Sequence, residues 1–160
     1  MSASNKEQRH ETAVDPILFP PIKGPTEALR AFVDDVFNTV LIQQSTVVLN
    51  AAIKEYMSPL YTETANGEFV THNEWLKIIM LQRKTLSNLY VIEKKIIVVP
   101  ADEKGLTGQV VHIAKISGDE EGVGKFTGDC VGNYRVGLKK NGKMQIEDAN
   151  GIAAIYLVKD

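Results

Sequence analysis

Apolar positions in this chain repeat with two periods, and the change from one to the other falls near Ser87-Asn88. Before it, Leu29, Phe32, Val33, Val36, Phe37 and Val40 recur at helical spacing, with Asp34, Asp35 and Asn38 on the opposite face. Pro25-Thr26 suits the start of that helix. Ser45 can cap a second helix through Leu49, Ala52, Ile53 and Tyr56, which Pro59 keeps from continuing. Leu60 to Thr64 is a short strand candidate closed by an Asn66-Gly67 turn. Thr71-His72-Asn73-Glu74 is a capping box, opening a third helix with Trp75, Ile78, Ile79 and Leu86 inward. Arg83 and Lys84 in its last turn suit the helix dipole. After Asn88, strands are predicted over Leu89 to Val99, Leu106 to Ser117 and along both arms of a hairpin from Gly124 to Leu157. Three helices and then four long antiparallel strands predict an α+β fold, with helices covering one face of a curved sheet.

The closing hairpin fixes which residues share a face. Asn141-Gly142 between alternating runs is a hairpin turn. A three-residue loop with Gly142 left-handed sets Lys139 opposite Lys143, Leu138 opposite Met144 and Val136 opposite Ile146. Continued without interruption, that register sets Tyr134 opposite Asp148, Gly132 opposite Asn150, Cys130 opposite Ile152 and Phe126 opposite Tyr156. A slip of one residue would turn every side chain to the other face, so the apolar pattern selects the register. Asp148 and Asn150 then point the same way as the core. A carboxylate there needs hydrogen bonds, a charge partner, a raised pKa or a wet cavity. The face therefore predicts the floor of a pocket.

Composition narrows the picture modestly. The 160 residues, 44% apolar and 24% charged, fit one globular domain with a real core. Residues 1–24 read as a leader, polar up to Asp15 and then an extended arm held by Pro16, Pro20 and Pro21; residues 25–160 form the domain. The net charge of -2 and the lack of a Lys/Arg stripe argue against nucleic acid. A single cysteine, Cys130, excludes an intrachain disulfide. No signal peptide or bilayer-length apolar run is visible, so no membrane partner and a cytoplasmic location are expected.

Chemistry is sparse. Gly122 to Gly128 resembles a phosphate loop only superficially: Phe126 stands after Lys125 where Ser/Thr is needed, and a strand follows instead of a helix. His10, His72 and His112 show no metal-ligand spacing, so no metal is expected. His112 lies mid-strand in Val110–Ala114 and shares the predicted face of Asp148 if the neighbouring strands keep even-numbered residues inward; a structural or outward-facing histidine would account for it equally well. An imidazole there suits general acid–base work. Asp148 in an apolar pocket suits it too, although pairing with Arg83, Lys95 or a backbone amide would account for it equally well. Tyr134 and Asn150 beside it could donate to a developing oxyanion. Glu63 shares the short first strand with Tyr61, where a solvated strand charge would account for it. Cys130 reads as a small buried hydrophobe. No nucleophile elbow is present.

The order of elements, with Tyr56-Met57-Ser58-Pro59-Leu60-Tyr61-Thr62-Glu63-Thr64-Ala65-Asn66-Gly67-Glu68, Glu74-Trp75-Leu76, Leu81-Gln82-Arg83-Lys84, Val111-His112-Ile113 and Asn141-Gly142-Lys143-Met144, resembles the nuclear transport factor two-like superfamily. More narrowly it resembles the SnoaL-like branch of polyketide-cyclase and isomerase-type proteins, over about Thr26 to Leu157. The resemblance implies a cone-shaped barrel of helices closed over a strongly bent sheet. It also implies a cavity in which an Asp/His or Asp/Tyr pair performs acid–base chemistry without a cofactor, and homodimers through the outer sheet face. By position the pair is His112 and Asp148, with Glu63 on the first strand and Tyr56 or Tyr61 near the rim. Gly151, Ala153 and Ala154 stand where the branch has bulkier residues, and the Pro-rich arm is not a family feature. The expected function is cyclisation, isomerisation or dehydration of a hydrophobic small molecule. Asp148 and His112 would serve as acid and base, Tyr134 and Asn150 as donors, and Trp75 and Phe126 as apolar walls. The alternative is a non-catalytic ligand-binding or dimerisation module of the same fold; a lipocalin-like barrel does not suit the three leading helices.

Overall fold

The computed structural model describes residues 24–157. The extended arm expected before Gly24 lies outside them. The elements run α1 (Glu27–Phe37), a π turn (Asn38–Ile42), α2 (Thr46–Tyr56), β1 (Met57–Ala65), β2 (Glu68–Thr71), α3 (His72–Thr85), β3 (Leu86–Pro100), β4 (Gly108–Glu120), β5 (Gly124–Leu138) and β6 (Met144–Leu157). The strands form one open, mixed sheet in the order β2-β1-β6-β5-β4-β3. Only β1 and β6 run parallel. Three helices on this bent sheet make the α+β cone.

Local chemistry sets the boundaries. Ser45 accepts from the Val48 amide and starts α2. The Thr71 hydroxyl and the Glu74 carboxylate complete the predicted capping box of α3. Pro59 stops α2 from running on, and the chain turns extended already at Met57, so β1 is longer than the predicted Leu60–Thr64. The Asn66-Gly67 turn, with both residues at positive φ, returns the chain as β2. Arg83 does more than suit the α3 dipole. Its guanidinium reaches across to the carbonyls of Thr39 and Gln43, at 3.4 and 2.7 Å, and ties α3 to the π turn.

The core lies between the helices and the concave sheet face. Leu29, Val33 and Val40 from the first helical segment, Leu49 from α2, and Val110, Val136 and Ile146 from the sheet are at most 2% exposed. On β4 and β5 even-numbered residues face in; on β1, from Tyr61 onward, odd-numbered residues do.

The closing hairpin begins as predicted and then departs. Lys139 N–H bonds to the Lys143 carbonyl at 2.8 Å, Gly142 has φ 81°, and Leu138/Met144 and Val136/Ile146 are paired. One step further the register shifts: Arg135 pairs with Asp148, Tyr134 with Ala149, Asn133 with Asn150, Cys130 with Ala153 and Phe126 with Leu157. Glu147 is the extra residue of a β-bulge. From there on β6 is rotated by one position, so Ala149 and Gly151 face the core and Asp148 and Asn150 face out. The expectation that Asp148 and Asn150 lie on the cavity side is thereby corrected. The physical reason is electrostatic: outside, Asp148 and Glu147 both take hydrogen bonds from Arg135 in water-accessible surroundings, whereas inside Asp148 would have lost its hydration.

Candidate functional site

Inward-facing small residues hollow the sheet. Gly128 and Gly132 on β5, and Ala149, Gly151 and Ala153 on β6, line a cavity of about 350 Å³ beneath α1, the π turn and α3. The departures noted at Gly151, Ala153 and Ala154 thus fall on the cavity lining. The walls are apolar, with Phe37, Trp75 and Ile79 above and Ile116 below.

His112 enters this cavity from β4 and is 1% exposed. Its ring stacks on Phe37, with centroids 4.0 Å apart and an interplanar angle of 25°. Its Nε2 is buried without a hydrogen-bond partner among the described residues and lies 3.8 Å from Asp34 Oδ1. Both Asp34 oxygens accept from Lys94 Nζ, at 2.6 and 2.7 Å. Burial pushes the His112 pKa down; Asp34 opposes that and Lys94 adds to it. The imidazole is therefore held neutral at neutral pH, the form that accepts a proton.

A second polar group stands on the β1 side. Tyr61, 2% exposed and edge-on to Trp75 at 5.0 Å, donates from its hydroxyl to Glu63 Oε2 at 3.0 Å. Burial raises the Glu63 pKa, and the Tyr61 hydrogen bond only partly offsets this. Tyr134 also lines the cavity. Burial first, then the Glu63 charge, pushes both phenols well above the usual range, so both remain donors. Cys130 lines the cavity as well, its thiol kept protonated by burial. The cavity thus holds an imidazole whose pKa is lowered and a carboxyl group whose pKa is raised, and pKa values displaced in opposite directions mark acid–base candidates.

Of the residues singled out in the sequence, the structure brings His112, Tyr134, Glu63, Tyr61 and Trp75 into one cavity. It does not bring in Asp148, Asn150, Tyr56 or Phe126. Asp148 and Asn150 line a separate polar groove of about 260 Å³ on the outer face, with Thr62, Thr64, Gln109 and Asn133. Tyr56 packs edge-on against Phe32 and donates to Asp35 Oδ2 at 2.6 Å, which lifts its pKa to about 12. Phe126 is fully buried against Gly118, away from the cavity lining. His72, in the capping box, is half-buried beside Tyr61 and Trp75 rather than exposed. Asp34 and Lys94 are the partners that sequence reasoning missed. One signal for Asp34 was available: it stands three residues before Phe37, hence on the flank of the apolar stripe and not opposite it.

No protein-family model matches the chain, and no curated protein matches it. Solved structures do. An NTF2-like protein of unknown function from Exiguobacterium sp. 255-15 aligns with TM-score 0.53 at 17% identity, over 77% of this chain and 98% of that one. The chain has the NTF2-like fold. A hexachlorocyclohexane dehydrochlorinase, LinA type 2, aligns with TM-score 0.60 at 11% identity over 83% and 90% of the two chains. The BvnE pinacolase from Penicillium brevicompactum aligns with TM-score 0.53 at 10% identity, over 86% of this NTF2-like chain and 88% of its own length. Among the described residues no helix is long and apolar enough to cross a membrane.

Proposed function

We propose that this NTF2-like protein is an acid–base enzyme that cyclises, isomerises or dehydrates a hydrophobic small molecule in the cavity, using proton transfer from its own side chains. The observation that carries the reading is the neutral, buried His112 imidazole open on an apolar cavity, with Asp34 behind it. A neutral ring with its Nε2 proton toward Asp34 leaves the other nitrogen to accept a proton. The carboxylate then stabilises the imidazolium that forms. General-base terms of this kind contribute about 10²- to 10⁴-fold. That a dehydrochlorinase and a pinacolase share the fold is consistent with proton-transfer chemistry here. The branch within the fold that fits this reading is the SnoaL-like one of polyketide cyclases and isomerases.

The test is deuterium exchange at carbons next to a carbonyl. In D₂O, His112 takes a proton from the α-carbon of 2-decalone, and the C–H electron pair forms the enol double bond. The carbonyl π pair moves to oxygen, and a deuteron returns to the carbon. NMR should show wild-type exchange well above buffer and a loss of about 10²-fold or more in His112→Gln. Asp148→Asn should exchange like wild type. Equal exchange by wild type and His112→Gln would end the proposal.

A homodimer through the outer sheet face is the second part of the reading. Ile113, Val131 and Ile152 are laterally paired on β4, β5 and β6 and are 37%, 40% and 64% exposed; on β3, Lys95 stands opposite Ile113, and the exposed Ile97 stands opposite Val111, two residues along. A contiguous apolar strip of this kind suits a protein partner.

A further inference from the structure

The outer sheet face carries a narrow apolar band. It begins on β3 with Val99 and Ile97, 57% and 44% exposed, and continues through Ile113 on β4 and Val131 on β5 to Ile152 on β6. Polar side chains flank it. Gln109, Arg135 and Asp148 stand in the row of Val99, and Lys115 and Asp129 stand in the row beyond Ile113 and Val131. The band therefore crosses the strands diagonally, a shape that suits one extended segment better than a flat face.

The register gives its length. From the row of Val99 to the row of Ile113, Val131 and Ile152 is four residues, about 13 Å at ~3.3 Å each. From β3 to β6 is three strand spacings, about 14 Å. The diagonal from Val99 to Ile152 is then about 20 Å.

The chain that precedes the described residues enters at one end of this band. Gly24 lies against the loop between β3 and β4: a Cβ there would collide with the Asp102 carbonyl oxygen, and one at Gly105 with the carbonyl oxygen of Pro25. The loop is held in place, because the Asp102 carboxylate accepts from the amides of Lys104, Leu106 and Thr107. Val99 stands three residues before Asp102, so the residues before Gly24 start from the Val99 corner of the sheet. They include Pro16-Ile17-Leu18-Phe19-Pro20-Pro21-Ile22. Three prolines with φ fixed near about −65° favour the polyproline II helix, with about 3 residues per turn and a rise of about 3.1 Å. Pro16, Phe19 and Ile22 then share one face, and the six steps between the ends span about 19 Å, the length of the band. Prolines also have less backbone freedom to lose on docking, and no N–H to bury.

We propose that residues 16–22 lie over this band on their own chain, with Ile22 on Val99, Phe19 between Ile97 and Ile113, and Pro16 toward Ile152. The docked arm takes apolar side chains out of water on both sides of the contact. It turns Ile17 and Leu18 away from the sheet, where the partner in a homodimer through this face would meet them. The docking is intramolecular and requires neither the dimer nor the acid–base chemistry of the cavity.

Cysteine pairs in the full chain test it, with Cys130→Ala removing the native thiol. Phe19→Cys/Ile113→Cys probes the docked position. Phe19→Cys/Lys104→Cys probes the exposed loop beside Gly24, which an undocked arm reaches over the shorter distance. With oxidised dithiothreitol as oxidant, the Ile113 pair should close at least about tenfold faster than the Lys104 pair. Mass spectrometry should show a single chain lighter by two hydrogens. Equal rates, or a faster Lys104 pair, overturn the proposal. So does a covalent dimer as the main product, which would give the band to a second copy. Phe19→Leu supplies a readout without cysteines, should those variants not fold. Loss of the ring should move the Ile97 and Ile113 δ1-methyl NMR signals downfield and leave that of Ile53 in α2 in place; Ile97 and Ile113 both unmoved overturns the docking. The intramolecular disulfide formed in a protein that light scattering shows to be monomeric supports the docking and disposes of the dimer alone.

Discussion

Replacing Asp34 by Asn separates the acid that the structure places beside His112 from the one that the sequence placed there. Asp34 Oδ1 lies 3.8 Å from His112 Nε2. Opposite unit charges at that distance attract by ~1 kcal/mol in water and by ~4 kcal/mol at an effective dielectric of 20. Asp34 is 29% exposed and shares its charge with Lys94, so the lower part of that range applies, about 1–2 kcal/mol. Because one pH unit corresponds to about 1.4 kcal/mol, the His112 midpoint should fall by about one unit in Asp34→Asn. The sign follows from the charge: the carboxylate stabilises only the imidazolium, so removing it moves an already lowered pKa further down. The assay is a ¹H–¹³C NMR titration of the three histidines, with the His112 signal identified by its loss in His112→Gln. Asp148→Asn is the control and should leave the midpoint unmoved, since that carboxylate binds Arg135 on the other face of the sheet. A midpoint that rises in Asp34→Asn, or shifts equally in Asp148→Asn, would refute the reasoning.

Other outcomes follow from the same contacts. Removing the cation in Lys94→Met should raise the His112 midpoint, read in the same titration. Glu63 has a folded-state pKa above its usual value, so the folded protein binds the extra proton and loses stability as pH rises from 4.5 through the raised pKa. Glu63→Gln should therefore be more stable than wild type above that window and gain less below it, as measured by urea denaturation at both ends. Thr71→Ala removes the α3 cap and should cost about 1 kcal/mol in the same assay, with His112 titration unchanged. Val131→Glu in the outer apolar strip should shift the protein from dimer to monomer in light scattering coupled to size-exclusion chromatography; a monomeric wild type would dispose of the dimer proposal.

The elements and the cavity differ in how far they could be read from the chain. Helix starts were legible because capping is local: Ser45 and the Thr71/Glu74 pair act within one turn of their own backbone. The hairpin turn was legible for the same reason, since Gly142 decides it alone. The error began where a local rule was carried too far. The period of two holds only until an extra residue enters, and nothing in Gln145-Ile146-Glu147-Asp148 marks a bulge by itself. The bulge is favoured by Arg135 across the ladder, which takes Glu147 and Asp148 together on the outer face. His112 and Tyr134 were placed on the inner face because β4 and β5 alternate without a break through those positions.

By itself, then, the sequence determined the three helices, β1 and the four long strands, the caps, the closing turn and the inward face of β4 and β5, because each follows from neighbours within a few residues, whereas β2 and the π turn were not legible in it. Tertiary structure alone decided which acid accompanies His112. Asp34 and His112 are 78 positions apart and meet only because α1 lies across the concave sheet. It also decided the shape of the site. Gly132 and Gly151 are unremarkable in a strand until pairing brings Tyr134 and Glu63 over them, and only then does their missing Cβ become room for the phenol and the carboxyl group.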